Sequence, residues 1–156
     1  MNIVGEVIAW FATAANWTGS GGVPVRMAEH LYYSALALLI GLVIALPLGA
    51  LVGHTGRGGF AVVGFSNGLW ALAELGLLVL LVLLMGIGLL PVVVALSVLA
   101  VPPLLAGAYA GARNVDRSVV DAARGMGMRE SQVLFKVELP NALPLIFGGV
   151  RSAALQ

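Results

Sequence analysis

The sequence predicts an all-α protein, a polytopic bundle of transmembrane helices with a helical loop on the cytoplasmic side. Of the 156 residues, 60% are hydrophobic and 10% are charged, whereas about a quarter of the residues in soluble domains are charged. The stretches 31–52 and 91–112 contain no charged residue. At about 1.5 Å per residue, each can cross a hydrocarbon core of about 30 Å. The segment 113–140 carries nine charged side chains and must lie outside the lipid.

Residues 1–29 are predicted to form an interfacial or extracytoplasmic segment ahead of the membrane domain, which we place at 30–156. A soluble tail is the alternative for this segment. A secretory signal peptide is not expected, because the first ten residues include Glu6 and neither Lys nor Arg. Three aromatic residues suit the lipid–water interface: Trp10, Phe11 and Trp17.

The residue usage excludes several classes of function. A net charge of +1 provides no basic surface for nucleic acid. The absence of cysteine excludes disulfides and thiolate metal sites, and His30 and His54 are too far apart in the sequence to suggest a metal site. No Gly-x-x-x-x-Gly-Lys sequence is present to bind the phosphates of ATP. We therefore expect no cofactor, no metal, no catalytic residue and no enzymatic activity in this chain.

The stretch 60–90 is long for one span and short for two. Its single charged residue is Glu74, which lies near Asn67 and Gly76. These residues favour a broken or strongly tilted helical region, with a short helix near 60–72 and a longer one near 75–87. The number of spans in this stretch stays open.

The distribution of basic residues predicts the orientation in the membrane. Five basic side chains in 113–140 favour the cytoplasmic side. Counting back through three spans then places Arg57 inside and the N-terminus outside. Arg26 would also lie outside, which is a mild contradiction of the positive-inside rule. Apolar residues resume at 143–155, which we interpret as the beginning of a fourth span in a domain truncated at its C-terminus.

Within 113–140 the sequence predicts two short helices joined by a glycine turn. Ser118 and Asp121 form an S-x-x-D start signal for a helix at 119–126. Gly127 is the expected pivot, because glycine reaches backbone angles closed to other residues. A second helix is expected at 129–138 and is predicted to end at Pro140. Its apolar stripe consists of Val133, Leu134 and Val137.

The spacing of this loop resembles the "EAA" loop of the permease subunits of bacterial ABC importers, with Asp in place of the usual Glu. The resemblance implies a coupling helix that docks on a separate ATP-binding subunit. It also implies a second permease subunit, in a homodimer or heterodimer, an extracytoplasmic substrate-binding protein, and a location in the bacterial cell membrane. The residues that carry the resemblance, and to which it assigns the coupling role, are Asp121, Ala122, Ala123, Gly127, Val137, Leu139 and Pro140.

Over most of 30–152 the chain also shows a weaker resemblance to permeases for osmoprotectants such as glycine betaine, choline, carnitine and proline. An amino-acid permease is the nearest competitor. A non-transporting membrane scaffold or a gene fragment also stays open. A membrane-tethered helix-turn-helix DNA-binding protein is disfavoured, because Arg129 and Lys136 of the second helix are balanced by Glu130 and Glu138. The similar stretches are His30-Leu31, Leu46-Pro-Leu-Gly49, Gly86-Ile-Gly-Leu-Leu-Pro91 and the loop itself.

Two residues are candidates for the solute path. Glu74 is the only charged side chain within 31–52, 60–90 and 91–112, where a carboxylate is costly and often functional. Trp70 offers a ring face to a quaternary ammonium group. The alternative, which we favour, is that Glu74 lies hydrated at a helix break near the interface. In the family that the chain resembles, a polar break containing proline is usual here, whereas this chain has Trp70-Ala-Leu-Ala-Glu74.

Overall fold

The computed structural model describes residues 2–70 and 74–156, and the side chains of all of these except Trp70 and Glu74. All regular structure in these ranges is helical, which confirms the all-α class. The helices are α1 (Ile3–Ala12), α2 (Val23–Thr55), α3 (Gly59–Trp70), α4 (Glu74–Met85), α5 (Leu89–Arg113), α6 (Arg117–Gly125), α7 (Glu130–Val133) and α8 (Leu139–Ala154). A short 3-10 turn covers Ala14–Asn16, and a π turn at Leu134–Glu138 joins α7 to α8. The chain divides into two compact units, Met1–Ala35 and Leu36–Gln156.

The N-terminal unit is organised by its aromatic residues. The rings of Trp10 and Phe11 meet edge to face with centroids 5.2 Å apart, and Trp17 lies 6.1 Å from Phe11. Two side chains close the turn after α1: Asn16 donates to the carbonyl of Trp10 at 2.7 Å, and the Trp17 indole donates to that of Phe11 at 2.8 Å. All residues of α1 are exposed, so its apolar side chains are available to lipid. The interfacial or extracytoplasmic assignment of 1–29 stays a prediction.

Three helices of the described residues are long and apolar enough to cross a membrane: Val23–Thr55, Leu89–Arg113 and the combined run Glu130–Ala154. The first two contain the predicted spans 31–52 and 91–112. Pro47, Pro102 and Pro103 lie inside α2 and α5, and both helices continue through them.

The prediction that Pro140 ends a helix is wrong. Helical structure runs on from the π turn into α8, in which Pro140 occupies the first turn. In the first turn of a helix, the N–H that proline lacks has no partner within that helix. The only steric conflict is between the proline ring and the carbonyl group one turn earlier. That preceding turn is the wider π turn, so the steric conflict is relieved without ending the helix.

The described part of the stretch 60–90 contains two helices, α3 and α4, of which 12 residues each are described on either side of 71–73. The predicted helix near 60–72 corresponds to α3. The predicted helix near 75–87 corresponds to α4, which ends two residues earlier, at Met85. The predicted break falls at 71–73, outside the described residues.

Small residues bring α5 close to helices on two sides. A Cβ atom placed on Gly49 of α2 would lie 2.7 Å from the Cβ atom of Ala108. On the other side, a Cβ atom on Gly149 of α8 would lie 2.7 Å from the carbonyl oxygen of Pro103. Such close approach is typical of membrane helices, which associate by van der Waals packing rather than by the hydrophobic effect. Helix α5 is therefore central to the larger unit.

Candidate functional site

The charged segment forms a compact element that consists of α6, a glycine turn, α7 and the π turn; we refer to these residues, 116–138, as the coupling element. Helix α6 begins at Arg117 because the carboxylate of Asp116 accepts a hydrogen bond from the Ser118 N–H at 2.9 Å. This hydrogen bond holds the pKa of Asp116 below its ordinary value. The predicted start signal at Ser118 and Asp121 is therefore wrong. The helix begins two residues before the expected 119.

The turn after α6 is a Schellman motif with glycine at the left-handed position. Gly127 has φ +82°, its N–H donates to the carbonyl of Arg124 at 2.9 Å, and the N–H of Met128 donates to that of Ala123 at 3.2 Å. The predicted turn at Gly127 is confirmed in its geometry. It fixes the direction in which α7 leaves α6.

The coupling element has a small hydrophobic core of its own. Val120 of α6 and Val133 of α7 are buried in it, and Ala123 is 2% exposed. The resemblance assigns a coupling role to both alanines, but Ala123 faces inward and does not present its side chain to a partner. Val137 packs against the same core and is partly buried.

The outer face of α6 is apolar and exposed. Ala122 is exposed, and Val119 and Met126 are 46% and 77% exposed. These three residues follow a spacing of three and four, which places them on one face. Asp121 borders this face with its side chain exposed. Val119 and Met126 were not among the predicted coupling residues, although their spacing from Ala122 indicates the shared face.

The remaining predicted coupling residues connect the element to α8. Leu139 packs against the cluster of Ala108, Ala142 and Ile146, whereas Pro140 is exposed. The side chain of Asn141 donates to the carbonyl of Val137 at 2.7 Å, which satisfies a backbone acceptor within the π turn.

Ion pairs link the coupling element internally and to the end of α2. Arg124 binds Glu130 through two hydrogen bonds of 2.9 and 3.0 Å and lies 3.5 Å from Asp121. His54, in the last turn of α2, lies between two carboxylates: its Nε2 is 3.2 Å from Oε2 of Glu130, and its Nδ1 is 2.6 Å from Oε2 of Glu138. We refer to His54, Glu130 and Glu138 as the His54 cluster.

The His54 cluster was not predicted from the sequence. Glu138 is separated from His54 by 84 residues, and no local spacing indicates such a contact. A weak sequence signal for the burial of Glu138 exists, because this residue directly follows the apolar stripe that ends at Val137. The side chains of Trp70 and Glu74, the two candidates for the solute path, lie outside what the structure describes. Within residues 2–70 and 74–156, no three His, Asp or Glu side chains are arranged so that they could hold a metal ion.

Residues 37–156 match the family described as binding-protein-dependent transport system inner membrane component. The chain belongs to this family. With its apolar helices, it is accordingly a multi-pass bacterial membrane protein of the ABC permease class.

Its relatives include permease proteins for osmoprotectants. It is 33% identical to the glycine betaine/carnitine/choline transport system permease protein OpuCB of Bacillus subtilis, over 88% of this chain and 64% of that protein. Identity to the carnitine transport permease protein OpuCD of Listeria monocytogenes is 35%, over 98% of this chain and 66% of that protein. Identity to the osmoprotectant import permease protein OsmY of Salmonella typhimurium is 36%, over 80% of this chain and 54% of that protein. The chain thus spans about three-fifths of the length of these relatives.

Proposed function

We propose that this chain is the membrane-spanning permease subunit of an ABC importer for small osmoprotectant solutes such as glycine betaine. The names of its relatives support the solute class. In this proposal, ATP is hydrolysed by a separate ATPase subunit. A second permease subunit completes the path, and an extracytoplasmic binding protein delivers the solute.

The observation that carries the coupling role is the exposed apolar face of α6 on an element with its own buried core. An apolar face exposed to water favours a protein partner. The core behind it, with Val120 and Ala123 buried, lets the element move as one body rather than deform. Movement of a docked ATPase is then passed to the membrane helices as a rigid-body displacement.

A single substitution on this face tests the docking. Ala122→Glu places a carboxylate in the centre of the apolar face without disturbing the core. We expect retention of the ATPase subunit encoded beside this chain to fall about tenfold or more in detergent co-purification, because an unpaired charge is costly in an interface. Ala123→Glu is less informative, since Ala123 is buried and the element itself would unfold.

Ser20→Glu is the matched control. It adds the same charge at an exposed position that is predicted to lie on the opposite side of the membrane, and it should leave retention unchanged. Equal retention of wild type and Ala122→Glu would contradict docking through α6. No retention by the wild type would favour a scaffold or a gene fragment instead of a permease.

Uptake by a bacterial strain without its own glycine betaine importers tests the solute. The chain is expressed with its ATPase, second permease and binding-protein partners. We expect uptake of labelled glycine betaine, with competition by choline or carnitine and none by methionine. Competition by methionine alone would favour an amino-acid permease.

The path residues Trp70 and Glu74 remain proposals from the sequence. An ionisable group in the membrane region is a functional candidate because it is costly in lipid. Glu74→Gln removes the charge and keeps the shape of the side chain. It should alter the rate of glycine betaine uptake only if Glu74 lines the path, and normal uptake would support the hydrated interfacial position.

A further inference from the structure

The His54 cluster contains a carboxylate that is almost completely removed from water. Glu138 is 1% exposed, and the imidazole of His54 is 10% exposed. A buried carboxylate is strongly unfavourable unless it is paired and hydrogen-bonded. The contact of 2.6 Å between Glu138 Oε2 and His54 Nδ1 provides that partner. The position of the π turn therefore depends on a side chain of α2.

The second ring nitrogen of His54 also faces a carboxylate, that of Glu130 in α7. His54 Nε2 faces Oε2 of Glu130 at 3.2 Å. Each ring nitrogen of His54 therefore has a carboxylate oxygen within hydrogen-bonding distance. Other charged groups belong to the same surroundings: Arg124 binds Glu130, Asp121 borders Arg124, and the Arg113 guanidinium lies against Gly56 just beyond the end of α2.

The cluster joins three elements at one point. His54 belongs to α2, Glu138 to the π turn and Glu130 to α7, and Glu130 is bound in turn to α6 through Arg124. We infer that His54 is a positioning residue that fastens the coupling element to the cytoplasmic end of α2, so that displacement of α6 also moves this helix. The attachment concerns this chain alone, whereas its role in transport rests on the proposed function.

Hydrogen exchange of the detergent-solubilised chain tests the attachment without any partner. His54→Gln retains a polar side chain but removes the imidazole, whose two nitrogens face the two carboxylates. We expect exchange of the amides in 130–138 to become about tenfold faster, because the buried carboxylate of Glu138 loses its hydrogen-bond partner. His30→Gln makes the same change at the chain's other histidine, which is exposed, and should leave exchange unchanged.

His54→Arg separates the positioning role from a general loss of stability. Arginine is permanently charged and can donate to both carboxylates. A cavity of about 390 Å³ beside His54, lined in part by Ala50, Ser131 and Phe135, leaves room for the longer side chain. We expect His54→Arg to restore slow exchange in 130–138. Equal exchange in wild type and His54→Gln, or no recovery in His54→Arg, would overturn the attachment.

The transport role is tested in the complex with the ATPase subunit. We expect His54→Gln to remain bound to the ATPase, since the outer face of α6 is intact, but to lose about tenfold in ATPase activity stimulated by loaded binding protein. We expect His54→Arg to regain the stimulated activity, because its guanidinium can donate to both carboxylates.

The outcomes distinguish the two proposals. If the wild type neither binds nor stimulates the ATPase, the proposed function fails, and the exchange measurement still decides the attachment. If the wild type is stimulated and His54→Gln is stimulated equally, or if His54→Arg is no more active than His54→Gln, the transport role of His54 is overturned.

Discussion

At Gly127, backbone geometry alone dictates the amino acid. Its φ of +82° lies in the left-handed region, which a β-branched residue rarely adopts. No other atom lies within 4 Å of a Cβ atom placed there. Steric crowding therefore plays no part, and the requirement for glycine comes from the Schellman turn between α6 and α7.

Gly127→Val should weaken coupling while leaving membrane insertion intact. Strain at such a position costs about 1–3 kcal/mol, enough to change the angle between α6 and α7. We expect a fall in stimulated ATPase activity by about tenfold or more, with a normal amount of chain in the membrane. Gly125→Val is the control, since Gly125 also has open space around it but no positive φ. Unchanged stimulation in Gly127→Val would refute the pivot role.

Local chemistry explains which residues could be predicted from the sequence. Gly127 could be placed because a glycine between two short helical patterns indicates a turn. The inward orientation of Ala123 could not be predicted, because α6 begins two residues before the position that Ser118 and Asp121 indicated. His54 and Glu138 are brought together only by the packing of α2 against α5 and of α5 against α8. The spacing of residues along the sequence cannot predict such a contact.

At the scale of elements, the close contact between α5 and α8 depends on Gly149 and not on its neighbour Gly148. Gly149 is buried, and a Cβ atom on it would lie 2.7 Å from the Pro103 carbonyl oxygen and 3.2 Å from the Cα atom of Gly107. Gly148, its neighbour, is exposed and has nothing within 4 Å. Backbone atoms cannot move aside as a flexible side chain can, so an added methyl group must separate α5 from α8.

Gly149→Ala should therefore destabilise the chain, by about 1–3 kcal/mol for an overpacked contact. Gly148→Ala should be neutral or slightly stabilising, because alanine favours a helix by about 1 kcal/mol over glycine. Thermal unfolding in detergent, followed by loss of the monodisperse peak in size-exclusion chromatography, measures the difference. An equal midpoint for both variants would contradict the close packing of α5 and α8.

The elements themselves were predictable where hydrophobicity extends over a full span. The cores of α2 and α5 follow directly from two uncharged stretches. The continuous run from Glu130 to Ala154 was missed because Pro140 is normally a strong stop signal. The π turn that accommodates it depends on packing of Val133, Leu134 and Leu139 on both sides of the turn, which a local pattern does not specify.

At the scale of the whole molecule, charge predicts the orientation. The coupling element contains most of the basic residues that follow α2, so the positive-inside rule places it in the cytoplasm. Helix α5 then runs from outside to inside, and the loop 86–88 before it lies outside. This requires the stretch that contains α3 and α4 to cross the membrane once.

Single cysteines test this orientation directly, because the natural chain contains none. Ser20→Cys, Ile87→Cys and Met126→Cys introduce thiols at exposed positions. A membrane-impermeant maleimide added to intact cells should label the first two, and it should label Met126→Cys only after permeabilisation. Labelling of Ile87→Cys only after permeabilisation would mean that α3 and α4 do not cross. Labelling of Met126→Cys in intact cells would place α6 outside, where no ATPase can reach it, and would refute the coupling role.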